Sequence, residues 1–155
     1  MVEYDAPVRR IVSAWKERGL RRLARWAAAV VVDTLPRPDA PTITFVPADP
    51  DRRLQRGYHA AERLARELAG AWELECKPLI VRARGSPRQR RLTRLERGRN
   101  VASAFACRGA APAHVTLVDD VYTTGSTTNA AATALRRAGA RRVEVVTFAR
   151  TIRRC

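Results

Sequence analysis

Two adjacent carboxylates, Asp119 and Asp120, follow the apolar run Val115-Thr-Leu-Val118, and a hydroxyl-rich turn, Thr123-Thr124-Gly125-Ser126-Thr127, comes directly after them. These residue types divide the work between them. Ionised carboxylates only accept hydrogen bonds, so the aspartates suit the two donors of a vicinal diol. Hydroxyls beside backbone N–H groups suit a phosphate, and Gly125 lets the main chain take a positive φ and approach an anion with no Cβ in the way. A ribose 5-phosphate presents both features at once. Charge-assisted hydrogen bonds contribute roughly 1.5–3 kcal/mol each against about 0.3–1 kcal/mol for a helix dipole, so direct contacts should carry most of the affinity. A Walker A loop is excluded, because no Gly-Lys-Ser/Thr follows the turn.

The flanks of this turn say how it is held. Val115 to Val118 is short, apolar and rich in β-branched residues, as in a parallel strand buried on both faces, and Ala130 to Ala138 repeats small or apolar residues at helical spacing. A strand, a loop and a helix in that order place the loop outside the carboxyl end of a strand. There, ligands of open α/β sheets bind and a helix N-terminus offers unpaired N–H groups.

The chain has 155 residues, which fits one domain spanning residues 1–155 with room for a sizeable core. No run of eighteen apolar residues and no signal-peptide pattern occurs, which points to the cytoplasm and to no membrane insertion. Cys76, Cys107 and Cys155 are odd in number and widely spaced, so a zinc ribbon is excluded and a disulfide framework disfavoured. The formal charge of +15 comes from 28 arginines and two lysines against 15 acids. Anionic partners are expected, nucleic acid among them, and the excess of arginine over lysine fits either bidentate phosphate contacts or genome composition.

Along the chain, Asp5 followed by Pro7 reads as the start of a helix through Val8, Ile11, Val12 and Trp15, ended by Gly19. A second helix covers Leu20 to Val32, with Trp15 and Trp26 expected in the core. Thr42 to Val46 reads as a buried strand and leads into a loop holding Arg52, Arg53, Arg56 and Gly57, a set suited to a polyanion unless it is only a solvated basic loop. A helix from His59 to Ala71 and a short strand, Leu79-Ile-Val81, follow. Between Arg82 and Arg108 nine arginines face one acid, Glu96, and docking groups such as Leu92 and Phe105 punctuate the charge, a pattern expected of a mobile lid. Arg142 to Phe148 closes the pattern as a further buried strand. The alternation predicts a three-layer α/β domain with a mainly parallel sheet flanked by helices.

The segment Leu117-Val-Asp-Asp-Val-Tyr-Thr-Thr-Gly-Ser-Thr127 resembles the phosphoribosyl pyrophosphate (PRPP) signature of type I phosphoribosyltransferases. The wider chain, from about Tyr4 to Arg150, resembles the ComF/GntX-like branch of that superfamily. Tyr4-Asp5 with Arg9, Lys16 and Gly19 is similar to the family's opening helix, and Val46-Pro47 with Arg52, Arg53, Arg56-Gly57-Tyr58 and Glu62 to its basic first loop. Pro87, Gln89, Leu92, Arg97, Asn100-Val101 and Ala104-Phe105 are similar to its long loop, and Ala138-Gly-Ala140 and Ala149-Arg150 to its closing segment. Two features depart from the pattern. His59-Ala60 stands where the family usually has Asn-Gln, which ranks His59 as a helix N-terminal residue before a substrate contact, and the four-cysteine zinc module that opens family members is expected to be missing, leaving a short form without zinc.

The resemblance implies a type I phosphoribosyltransferase-like fold and displacement of pyrophosphate from C1 of PRPP by a nitrogen nucleophile, with Mg²⁺ bound through the pyrophosphate. On that basis Asp119 and Asp120 are the catalytic pair and residues 123–127 the 5-phosphate loop. Arg52, Arg53, Arg56 and Gly57 hold pyrophosphate, and Arg88, Gln89, Arg94, Arg97 and Asn100 belong to the lid. No metal cage is encoded, so Mg²⁺ is expected with its phosphates. Two rival functions remain open in the sequence: a competence-type protein that binds single-stranded DNA and other competence proteins, and a PRPP-sensing regulator without turnover. The DNA reading lacks an evident stacking platform, since Phe105 is the one aromatic within residues 82–108. Neither the acceptor nucleophile nor the oligomeric state is marked.

Overall fold

The computed structural model describes residues 2–18, 22–48, 59–83 and 104–152. Its first helix, α1 (Ala6–Arg18), begins where the sequence places a cap: Asp5 Oδ1 accepts the Val8 N–H at 2.9 Å, which satisfies one of the four free donors of a helix start. The second helix, α2 (Arg22–Thr34), runs two residues past the expected end at Val32. The third, α3 (Ala60–Trp72), buries Ala61, Leu64, Ala65, Leu68 and Trp72 along one stripe, and each buried leucine contributes roughly 1.5–3 kcal/mol. His59 is its N-cap residue in extended conformation, as ranked from the sequence, and Glu62 and Arg66 pair one turn apart on its outer side at 2.8 Å.

Five strands form one sheet in the order β1-β7-β6-β2-β3, all neighbours parallel. They are β1 (Val2–Glu3), β2 (Thr42–Phe45), β3 (Glu75–Cys76), β6 (His114–Tyr122) and β7 (Arg142–Arg150). The remaining two, β4 (Ile80–Arg82) and β5 (Phe105–Cys107), pair antiparallel with each other. The strand expected at Leu79-Ile-Val81 therefore exists one residue later and outside the main sheet. The fourth helix, α4 (Ser126–Arg137), links β6 to β7.

Two cores lie on the two faces of the sheet. Trp15, Val31, Leu64, Leu68, Val118 and Phe148 join the first three helices to one face, while Val115, Leu117, Leu135, Ile80 and Phe105 join α4 and the β4–β5 pair to the other. Helix α3 returns β2 to β3 on one side of the sheet, and α4 returns β6 to β7 on the other. Right-handed crossovers that run in opposite directions must use opposite faces. The reversal between β2 and β6 is a topological switch point, the place where an open α/β sheet leaves a crevice at its carboxyl edge.

Two expectations are corrected here. Trp15 is fully buried, but Trp26 is 46% exposed, because the buried stripe of α2 runs through Ala24, Ala27, Ala28 and Val31 and leaves Trp26 at its margin. The arginine-rich stretch from 82 to 108 is also not a free lid throughout. Its ends are β4 and β5, and Phe105 is buried in the second core with the Arg82 guanidinium 5.0 Å from its ring centroid.

Candidate functional site

The strand that carries the two carboxylates is longer than its apolar run. β6 continues from His114 through Asp119 and Asp120 to Tyr122, so both aspartates belong to the strand end and not to the loop. Pairing with β7 across Val121 and Tyr122 holds this extension in place. The ladder is irregular at the acids. Val118 and Val121, three residues apart, both pack on the first core, so the strict alternation of a flat strand is broken between them, and Asp120 is skipped in the pairing with β7. Asp119 Oδ1 accepts the Asp120 N–H at 2.9 Å, which fixes one carboxylate against the other's backbone. Asp119 is half-buried and Asp120 is 8% exposed. Ionised groups at such burial require polar partners or a ligand to offset their lost hydration.

The turn after Tyr122 is built around Gly125, which has φ +75° and ψ −1°. That left-handed conformation costs a residue with a side chain roughly 1–2 kcal/mol. A second constraint acts at the same residue. A Cβ on Gly125 would stand 2.5 Å from Cζ of Tyr122 and closer still to its hydroxyl, so the phenol fills the space beneath the turn. The Gly125 carbonyl accepts both the Asn129 N–H at 2.8 Å and the Thr128 hydroxyl at 3.0 Å. Thr124 and Ser126 share a hydrogen bond of 2.9 Å between their hydroxyls. Thr123, Thr124, Ser126 and Thr127 are all exposed, so the rim of the turn is a cluster of accessible hydroxyls over the N-terminus of α4. Gly125, the N-cap residue, has no side chain with which to cap that helix. The first-turn N–H groups of such a helix suit an anion.

The structure thus brings Asp119, Asp120 and residues 123–127 together at the carboxyl edge of the sheet. It also fixes where the basic first loop is rooted. The Val46 N–H donates to the Val118 carbonyl at 3.0 Å, directly before Asp119, and the His59 ring packs edge-on against Phe45 with centroids 5.7 Å apart. The chain therefore leaves β2 and enters α3 beside the aspartates. Arg52, Arg53, Arg56 and Gly57 themselves lie outside the described residues, as do Arg88, Gln89, Arg94, Arg97 and Asn100.

Three residues of the site received no role from the sequence. Tyr122 supports the turn, Thr128 clasps it from within the helix, and Arg150, at the end of β7, places its guanidinium 5.8 Å from the Tyr122 ring centroid. Tyr122 and Arg150 also line a cavity of about 210 Å³ with Val145 and Thr147. An aromatic residue placed three before the glycine was the available signal for Tyr122. Arg150 was marked only by the likeness of Ala149-Arg150 to the family's closing segment, and its place beside Tyr122 depends on strand register.

Among the described residues no three of His, Cys, Asp and Glu cluster in a way that could hold a metal ion. Cys76 and Cys107 are free thiols, and burial pushes both above the ordinary thiol range, with Arg66 partly opposing the effect at Cys76. No helix among the described residues is long and apolar enough to cross a membrane.

The chain is similar to known proteins in sequence and in fold. The DNA utilization protein YhgH of Salmonella typhi is 36% identical over 123 residues, which are 76% of this chain and 52% of that protein. Competence protein F of Haemophilus influenzae is 33% identical over 143 residues, 88% of this chain and 62% of that protein. The chain spans about half to three-fifths of the length of these curated relatives. Among solved structures, the allosteric regulatory enzyme of purine biosynthesis matches over 83% of this chain and 26% of its own, with a TM-score of 0.57 and 19% identity. The glutamine PRPP amidotransferase of B. subtilis, complexed with ADP and GMP, matches over 81% of this chain and 26% of its own, with a TM-score of 0.54 and 21% identity. No protein-family model matches the chain.

Proposed function

The chain belongs to the ComF-like family, within the type I phosphoribosyltransferase superfamily, and from that premise we propose that it binds PRPP with Mg²⁺ and transfers the phosphoribosyl group to a nitrogen nucleophile. The observation that supports this reading best is the juxtaposition at the switch point: a carboxylate pair at the end of β6 and, five residues on, a glycine turn at a helix N-terminus rimmed by hydroxyls. A diol and a phosphate on one sugar fit that pair of environments.

In this reading the 5-phosphate occupies the 123–127 turn and the ribose hydroxyls donate to Asp119 and Asp120. The nitrogen lone pair forms the bond to C1 as the C1–O bond breaks. The bonding electrons leave with pyrophosphate, and the nitrogen then loses its proton. The aspartates offset positive charge developing on the sugar, and holding both reactants in line supplies much of the rate. Mg²⁺ enters as part of the substrate, on the pyrophosphate, where it neutralises the leaving group. Arg52, Arg53 and Arg56 complete the pyrophosphate contacts in this proposal.

Calorimetry tests it. PRPP with Mg²⁺ should bind the wild type, and Asp119→Asn with Asp120→Asn should remove most of that binding while the far-ultraviolet circular dichroism stays unchanged. Unchanged affinity in the double variant would show that the diol is held elsewhere.

A second reading, binding of single-stranded DNA, is favoured by the names of the relatives, which concern competence and DNA utilization, and by the charge of +15. The two readings are compatible, because a PRPP site at the carboxyl edge leaves the helical faces of the domain free for a polyanion.

A further inference from the structure

The exposed position of Trp26 is unexpected for so large an apolar side chain. Its ring makes a T-shaped contact with the buried Phe148, at 5.5 Å between centroids and an interplanar angle of 65°, and the residue is still 46% exposed. Arg22 and Arg25, one turn before it and directly before it on α2, are exposed as well. From the start of α1 to the end of α2, residues 6–34 hold Arg9, Arg10, Lys16, Arg18, Arg21, Arg22 and Arg25 against two acids, Glu17 and Asp33. An indole packed on the core yet 46% exposed, with cations outnumbering acids along its helix pair, combines the two elements that bind single-stranded nucleic acid without sequence preference: a stacking surface and phosphate-neutralising charge. A protein-docking face of the usual kind is instead depleted in charge at its centre.

We propose that Trp26 is a stacking anchor for one base of single-stranded DNA, with Arg22 and Arg25 holding the adjacent phosphates. The class of partner rests on the second reading above, while the location is new. This face is carried by α2, which packs on α3 and β7 through the first core, so it is separate from the turn at residues 123–127. It supplies the aromatic platform that the arginine block between 82 and 108 lacks. Stacking on one indole also explains how an arginine-rich surface holds a strand in place, since every base has a π face and the contact tolerates any sequence.

The tryptophan complement makes the test direct. Trp15 and Trp72 are buried at 0% and 5% exposure, so a fluorescence change on adding an oligomer of thymidylate reports Trp26. The expected result is quenching that saturates with the binding curve from fluorescence anisotropy of the labelled oligomer. Trp26→Ala should weaken that binding about tenfold and Trp26→Phe by less, in line with the usual cost of losing one stacked base. Arg22→Gln with Arg25→Gln should flatten the dependence of affinity on salt. Circular dichroism and PRPP calorimetry should be unchanged in Trp26→Ala, which separates loss of the anchor from loss of the fold. Oligomer binding of equal strength in wild type and Trp26→Ala would overturn the location and leave the DNA reading intact. Absence of any oligomer binding would overturn both. A concentration-dependent blue shift of Trp26 emission without DNA would mean that a second copy of the chain covers this face, which also overturns the proposal.

Discussion

Replacing Gly125 with alanine attacks the candidate site through two separable terms. The first is conformational: a side chain at φ +75° costs roughly 1–2 kcal/mol wherever it occurs. The second is steric and local, because the new Cβ would stand 2.5 Å from Cζ of Tyr122 and nearer to its hydroxyl. Overpacking of this kind costs about 1–3 kcal/mol as the phenol or the turn is forced aside. Gly125→Ala should therefore destabilise the wild type by about 2–5 kcal/mol. In a Tyr122→Ala background the obstructing ring is gone, and only the conformational cost of about 1–2 kcal/mol should remain. The difference, a coupling of about 1–3 kcal/mol, is read from a double-mutant cycle of urea unfolding curves with unchanged slopes. Equal costs in both backgrounds, within about 0.5 kcal/mol, would refute the argument that Tyr122 shapes the turn. The same substitution should weaken PRPP binding by about tenfold or more, since displacing one donor from a phosphate removes a charge-assisted hydrogen bond.

Phe105 is buried although it lies in the arginine-rich stretch, so Phe105→Ala should cost about 3–5 kcal/mol in urea unfolding, whereas a solvated lid residue would cost less than about 0.5 kcal/mol. Burial raises the Cys76 and Cys107 thiols, which favours their neutral forms at neutral pH. In a Cys155→Ser variant both should react with iodoacetamide more slowly than a peptide thiol at pH 7 and accelerate only above the ordinary thiol range near about 8.5, as followed by mass spectrometry; peptide-like labelling at pH 7 would contradict the burial argument.

What the sequence determined by itself is what local physics encodes. Asp5 caps α1 because a short acceptor side chain ahead of an apolar period has few other uses, and the Asp5–Val8 hydrogen bond bears that out. Gly125 was readable because a hydroxyl-rich turn between strand and helix demands a positive φ somewhere, and glycine takes it at least cost. The strand and helix alternation, and with it the parallel sheet, follow from the hydrophobic periods in the same way.

Other features depended on contacts between residues distant in the chain. Val115 to Val118 marked a strand by composition, yet β6 runs on to Tyr122 because β7 offers it partners at Ala149 and Arg150, a pairing that no local window contains. Trp26 could not be placed from its own helix, since the run from Ala27 to Val32 is apolar without a break and no period shows which stripe is buried; α3 and β7 made that choice by packing on Ala24, Ala28 and Val31. The same holds for the site as a whole. The strand ends that carry its two loops lie some sixty residues apart in the chain, and they stand side by side only because β2 and β6 are neighbours at the switch point, hydrogen-bonded from Ile43 and Thr116 to Phe45 and Val118. Strand order is a global outcome of burying both faces of one sheet, and so the tertiary structure alone decided which strand ends are neighbours.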